Sequence, residues 1–349
     1  MGVNDGKLSF RSSYWDNIKG FLIFLVVFAH CLYDFQDDAL IGTIVKSIYL
    51  FHMPAFIFVS GFFGKSERSR SSKSILTLLF AYFIFDSITG IIMGWSDLLI
   101  PVYSYWYIIA LVLWRIGAKY VPKNTVSLIV ALIVSICVGF ASVITNNLAL
   151  SRVIAFFPFY LAGLMLPKEH FSTKPKLPVP GLIAFAAAIG IGYFAIHTLD
   201  IQCGSLLMGS YSTASKVLDR ICFLIVATAA IIAVLAFAPQ RRLPLLTAFG
   251  RNSLPIYLLH RLITLAFSAN IAGQSSIVIL FASILLSFVI CLVFGNDLVG
   301  RFISRYLEDG AELVLRQKDS CKPGSEYAAV ALSAVATAAA IVISCAFNI

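Results

Sequence analysis

Residues 11–35 read RSSYWDNIKGFLIFLVVFAHCLYDF, and this stretch decides the fold. A polar lead-in carries Asp16 and Lys19, an apolar run follows, and one histidine, His30, sits inside that run. As a helix the run can cross a hydrocarbon core of about 30 Å, which takes roughly 20 residues. Ten residues separate Lys19 from His30. Eleven steps of about 100° return to nearly the same helix face, about 16 Å further along the axis. One face therefore carries a cation near one membrane surface and an imidazole near mid-bilayer. An ionisable side chain at that depth is costly, so its presence points to function.

The remainder of the chain extends the pattern. Of its 349 residues, 60% are hydrophobic and 12% charged, against about 25% charged in soluble domains. Apolar runs recur at about 18–36, 41–63, 74–94, 102–121, 125–145, 151–166, 181–198, 217–238, 252–270, 275–296 and 327–347, which gives ten or eleven crossings. Backbone groups in lipid must be satisfied by helices or by a closed barrel. Barrel strands would alternate over about 10 residues, and these runs do not. The expected fold is all-α, a polytopic transmembrane bundle. The expected organisation is a lead-in at 1–17, a membrane domain at 18–296, a basic segment at 297–326 and an additional span at 327–349. The basic segment has the character of an interfacial helix. The polar start and the absence of a small-residue cleavage site argue against a cleaved signal peptide.

Basic residues orient the bundle. Lys65, Arg68, Arg70, Lys73, Arg115, Lys119, Lys123, Arg241 and Arg242 fall in one set of alternate loops, and Asp34, Asp37, Asp38, Asp97 and Asp200 in the other. The positive-inside rule then makes the N-terminus cytoplasmic. It also accounts for the net charge of +9 through anionic lipid rather than nucleic acid. The seven cysteines are scattered without a C-x-x-C pair, so neither a zinc site nor a disulfide framework is expected.

Candidate chemistry gathers around His30, which can serve as a general base because imidazole titrates near neutrality. His52, in FHMPAFIFVSGFF, returns through the next span to nearly the same depth. Pro54 should bend the helix there, so His52 either joins His30 or bonds a carbonyl that the proline frees. Asp16 and Lys19 stand at i,i+3 and can pair at the inner interface. Arg251 and Asn252 open the ninth span, with His260 about two turns deeper. Trp106 and Arg152 lie at outer ends of spans and are candidates for contact with an external substrate. Tyr103 and Tyr105 read as an ordinary aromatic belt. No Walker loop, H-E-x-x-H or G-x-S-x-G is present.

WDNIKGFLIFLVVFAH and IYLFHMPAFIFVSGFFGK, with YWYIIALVLWR, RVIAFFPFYLAGLML and FGRNSLPIYLLH, together resemble the membrane acyltransferase family 3, and within it the fucose 4-O-acetylase-like branch. The likeness covers roughly residues 11 to 295. It implies transfer of an acetyl group from acetyl-coenzyme A, as donor substrate with no bound cofactor, to a hydroxyl of a sugar, a glycan or a small acceptor. The family signature of a basic residue, ten intervening residues and a histidine falls on Lys19 and His30. Many members carry arginine at the first position; lysine keeps the charge and loses the bidentate grip. In this picture Lys19, Asp16, Arg251 and Asn252 serve the donor, His30 is the base, and His52 or Asn252 steadies the oxyanion. Trp106, Arg152 and His260 face the acceptor, in a bacterial inner membrane. The rival readings are a proton-coupled transporter or flippase, and a non-enzymatic scaffold.

Overall fold

The computed structural model describes residues 13–94, 97, 99–141, 147–167, 178–199 and 216–320, with backbone only for 195–199 and 317–320. The span expected at 327–347 and part of the lead-in lie outside the described residues, as do Lys168, Lys174, Lys176 and Asp200. The helices are α1 (Ser13–Leu32), α2 (Ala39–Tyr49), α3 (His52–Phe63), α4 (Glu67–Arg70), α5 (Ser72–Ile92), α6 (Trp106–Gly117), α7 (Thr125–Cys137), α8 (Leu150–Met165), α9 (Pro178–Leu199), α10 (Lys216–Phe237), α11 (Pro244–Arg251), α12 (Ser253–Ile271), α13 (Ser276–Phe294) and α14 (Asp297–Ser320). There is no strand among the described residues.

Among the described residues, seven stretches are long and apolar enough to cross a bilayer: 13–35, 39–63, 72–92, 147–165, 216–237, 253–271 and 276–294. The protein is thus an integral, multi-pass membrane protein. Three segments read from the sequence as full spans are helices of other lengths or limits. The run at 102–121 contains α6, which has only 12 residues. The run at 125–145 gives α7 and a short 3-10 turn, and 181–198 falls within α9.

α1 occupies the centre, packed by α2, α3, α11, α12 and α13. Its apolar run holds no proline, and Asp16 in its first turn suits the positive end of the helix dipole. The second crossing is broken, and not where a bend at Pro54 was expected. α2 ends at Tyr49 and α3 begins at His52, with Phe51 off the helical region at φ −137°. Pro54 has no amide to offer the Leu50 carbonyl, so the ladder fails one turn before the proline. His52 fills part of the gap, with Nδ1 2.8 Å from the Ile48 carbonyl oxygen.

Two close crossings set the architecture. A Cβ added at Gly20 would collide with the Leu246 carbonyl, and one at Gly250 with the Asp16 carbonyl. At the second crossing Gly61 lies on the Tyr160 carbonyl and Gly163 on that of Phe58, joining α3 to α8. Small residues are what let helix backbones meet inside a membrane. At the opposite end Asp38 caps α2, accepting from the Leu40 and Ile41 amides, and accepts from Ser276 Oγ at 2.5 Å, which ties α2 to α13. The basic segment is the helix α14, which packs on α5. Lys73 meets Glu312 there at 3.0 Å.

Gly250→Val should lower stability by about 1–3 kcal/mol through overpacking, read as a fall in the thermal midpoint of detergent-purified protein. Gly190→Ala, where an added Cβ meets nothing within 4 Å, should not lower it.

Candidate active site

The Gly20–Gly250 contact seats α11 on the first half of α1, with Asp16 facing Gly250 and Gly20 facing Leu246, and the chain then turns at Asn252 into α12, which also packs on α1. Ten residues beyond Gly20 stands His30, and ten beyond Gly250 stands His260. The packing of α12 on α1 brings the two rings together. His30 Nδ1 lies 2.7 Å from His260 Nε2, with the rings stacked at 9° and centroids 5.0 Å apart. His30 is in the last turn of α1. Its ring partner is His260 of α12, not His52.

Hydrogen-bond chemistry orders the protons. His260 Nδ1 is 2.7 Å from the Tyr257 carbonyl oxygen and 3.1 Å from that of Ile256. A carbonyl only accepts, so Nδ1 carries the hydrogen and the neutral ring keeps its lone pair on Nε2. That lone pair must accept from His30, so His30 Nδ1 is the donor and His30 Nε2 is the bare nitrogen. The chain runs from His30 through His260 to a backbone oxygen and leaves one basic atom at its head. His260 is completely buried, whereas His30 is only half-buried. His52 lies within electrostatic reach of His30. Tyr33 stacks on Tyr49 at 5.9 Å, and the Tyr49 ring lies 5.0 Å from that of His52.

The remaining candidates separate into two ends. At the basic end Lys19 Nζ pairs with Asp16 Oδ1 at 2.8 Å and stands 5.2 Å from the Phe63 ring. Arg251 pairs with Asp297 at 3.0 Å. Asn252 donates to the Gly295 carbonyl and to Asp297 Oδ1, both at 2.8 Å. Its amide protons are spent joining α12 to the start of α14, about two turns from His260, so this placement does not fit the oxyanion role suggested for it. At the far end the Arg152 guanidinium lies 5.4 Å from the Trp106 ring, and Trp106 is buried.

Sequence reading passed over several residues here. Tyr105, taken for an interfacial belt residue, is fully buried. Its hydroxyl donates to the Leu258 carbonyl at 2.9 Å and accepts from Thr89 at 3.2 Å. Tyr257 lies 5.8 Å from the His260 ring and 5.5 Å from that of Tyr107, and the Tyr107 hydroxyl is 2.5 Å from Ser60 Oγ. Beyond it, buried Nε atoms of Arg70 and Arg115 and the hydroxyl of Tyr160 have no hydrogen-bond partner. A line of polar side chains thus leads from the histidine pair toward the basic end. Arg261, directly after His260, was also missed, although an arginine within the apolar run LLHRLITLAF was signal enough.

Comparison with known proteins places the chain in a family. The family 3 acyltransferase domain matches residues 12–296, which is most of the chain, and the protein belongs to that family. It is 28% identical over 194 residues to the nodulation protein NolL of Mesorhizobium japonicum, covering 47% of this chain and 48% of that one. It is likewise 28% identical over 144 residues to the nodulation protein NolL of Sinorhizobium fredii, covering 34% and 36%. The chain therefore spans about half, or less, of the length of these relatives. No solved structure is a significant match.

Nitrogen-15 spectra of histidine-labelled protein should show His30, His52 and His260 as neutral rings protonated on Nδ1, the less common tautomer. His260→Phe should abolish that preference at His30. A spectrum with Nε2–H rings would contradict the proton order given above.

Proposed function

We propose that the protein is a membrane O-acyltransferase that moves an acetyl group from acetyl-coenzyme A to a sugar hydroxyl, with His30 Nε2 as general base. The observation that carries the reading is the histidine pair, whose carbonyl-anchored order leaves a lone pair at His30. Family membership supplies the reaction class.

In this reading the basic end is cytoplasmic, in a bacterial inner membrane, and receives the donor. Coenzyme A is polyanionic. The unpartnered nitrogens of Arg70 and Arg115 and the Tyr160 hydroxyl suit its phosphates, with Lys19 held beside them by Asp16. Arg251, half-buried at the same end, adds positive potential. The pantetheine arm then follows the polar line past Ser60 and Tyr107 toward Tyr257. The acceptor comes from the far end, among Trp106, Arg152 and the tyrosines.

The acceptor hydroxyl gives its proton to His30 Nε2 as its oxygen attacks the thioester carbon. The carbonyl π electrons move to oxygen, forming a tetrahedral oxyanion. Collapse breaks the C–S bond, and the departing thiolate takes the proton back from His30. The ester and free coenzyme A result, and the histidine is restored. No enzyme-bound acyl group is required, because two oriented substrates suffice. His260 orients His30 and remains hydrogen-bonded to Nδ1 throughout.

His30→Ala should reduce acetyl transfer by about 10²–10⁴-fold, the range for a lost general base, in protein that is still expressed and folded. Thiol release from acetyl-coenzyme A in the presence of acceptor measures it, and full activity in that variant removes the base assignment. A transporter would move solute without releasing thiol. Lys19→Ala should raise KM for acetyl-coenzyme A with little change in kcat. An effect confined to the acceptor's KM would contradict the donor role.

A further inference from the structure

Arg261 is 2% exposed and lies next in sequence to His260, in the membrane-spanning α12. Among the described residues no carboxylate pairs with it, and its Nε is buried without a hydrogen-bond partner. Its guanidinium lies 3.9 Å from the centre of the Tyr103 ring. Asp86 accepts from the Val102 amide at 2.7 Å and so caps the segment that carries Tyr103. Arg152 repeats the situation: a guanidinium over the Trp106 ring, with tyrosines 33, 49 and 257 around it and no acid partner among the described residues.

Two cations without an acid partner are costly in a bilayer-spanning bundle. A transition-state oxyanion does not relieve that cost, since it exists only during reaction. A permanent negative charge on a bound molecule does. Tyr103 marks the way in. Its backbone is left-handed at φ 46°, a strained state for a bulky residue, and its side chain is 44% exposed. Neighbouring contacts hold it there: the Tyr257 hydroxyl donates to the Ser104 carbonyl, and the Tyr105 hydroxyl to that of Leu258. Arg261 is thus closed off by one strained aromatic ring at the rim.

We propose that Arg261, seconded by Arg152, binds an anionic group on the acceptor, a phosphoryl or carboxylate carried by the sugar. This rests on the acyl-transfer reading only in naming the bound molecule as the acceptor. Arginine suits such groups because its planar fork meets two oxygens at once. Charge on the sugar, more than its ring, then distinguishes substrates. A neutral glycoside leaves both cations uncompensated.

The test measures binding rather than transfer, so it stands whether or not His30 is the base. Detergent-purified full-length protein is titrated with glucose 1-phosphate, glucuronate or methyl glucoside, and the thermal midpoint is followed. At least one of the charged probes should raise it, and the neutral one should not. Arg261→Met should weaken the charged-probe response about thirtyfold or more, as expected for loss of one side of a buried charge pair. Removing an uncompensated charge should leave the unliganded midpoint unchanged or higher, whereas a structural arginine would lower it. Arg261→Lys should recover part of the binding. Equal responses to all three sugars overturn the proposal, as does an undiminished response in Arg261→Met. So does a loss of coenzyme A affinity in that variant with the sugar response intact, which would assign Arg261 to the donor.

Discussion

The hydrogen bond between His30 and His260 is the interaction on which the rest depends, and it exists because two backbones touch elsewhere. Gly20 and Gly250 lie against carbonyls of the partner element, which places α1 directly on α11, and α12 follows and packs on α1 as well. His30 lies ten residues beyond Gly20 on α1, and His260 lies on α12, past the turn at Asn252. Imidazole is an expensive group to bury in lipid, and each of these rings satisfies the other. The glycine contact and the histidine pair are therefore one device. The first brings the two segments together, and the second makes of them a directed line of protons.

Around this device the bundle is divided by charge. One end holds Lys19, Lys65, Arg70, Arg115 and Arg251, several of them engaged with acids, carbonyls or aromatic faces. The other holds Arg152 and Arg261, whose cations rest on tryptophan and tyrosine rings. Aromatic faces stabilise a cation less than a carboxylate does in a desolvated setting, so these two keep the capacity to take an anion. The histidine pair stands between the ends, where reactants arriving from opposite sides would meet.

Much of this was legible in the sequence, and the reason is the bilayer. Apolar runs announce helices because lipid allows little else, and an ionisable residue within one is conspicuous. His30, His260, Lys19 and Arg152 were all visible on that ground. Which histidine would face His30 was not, because the answer lies in a contact between glycines 230 residues apart, and glycine carries no hydropathy signal. Chain proximity favoured His52. The break before Pro54 instead turned its Nδ1 to the Ile48 carbonyl. Asn252 looked available because its own neighbours are apolar, while its partners, Gly295 and Asp297, come from another helix end. Tyr105 matched the composition of an interfacial belt, and only the path of the 99–105 segment shows it turned inward.

The proton line from His30 ends on a peptide oxygen, that of Tyr257, where many histidine-based sites end on an acid. A peptide dipole is a weak counterweight to an imidazolium, far weaker than a full negative charge. In the proposed reaction the cation formed at His30 is therefore short-lived, and the departing sulfur is the natural place for its proton to go. Such a site has no way to store charge between substrates. It would act only while donor and acceptor are both in place, which spares the thioester from idle hydrolysis.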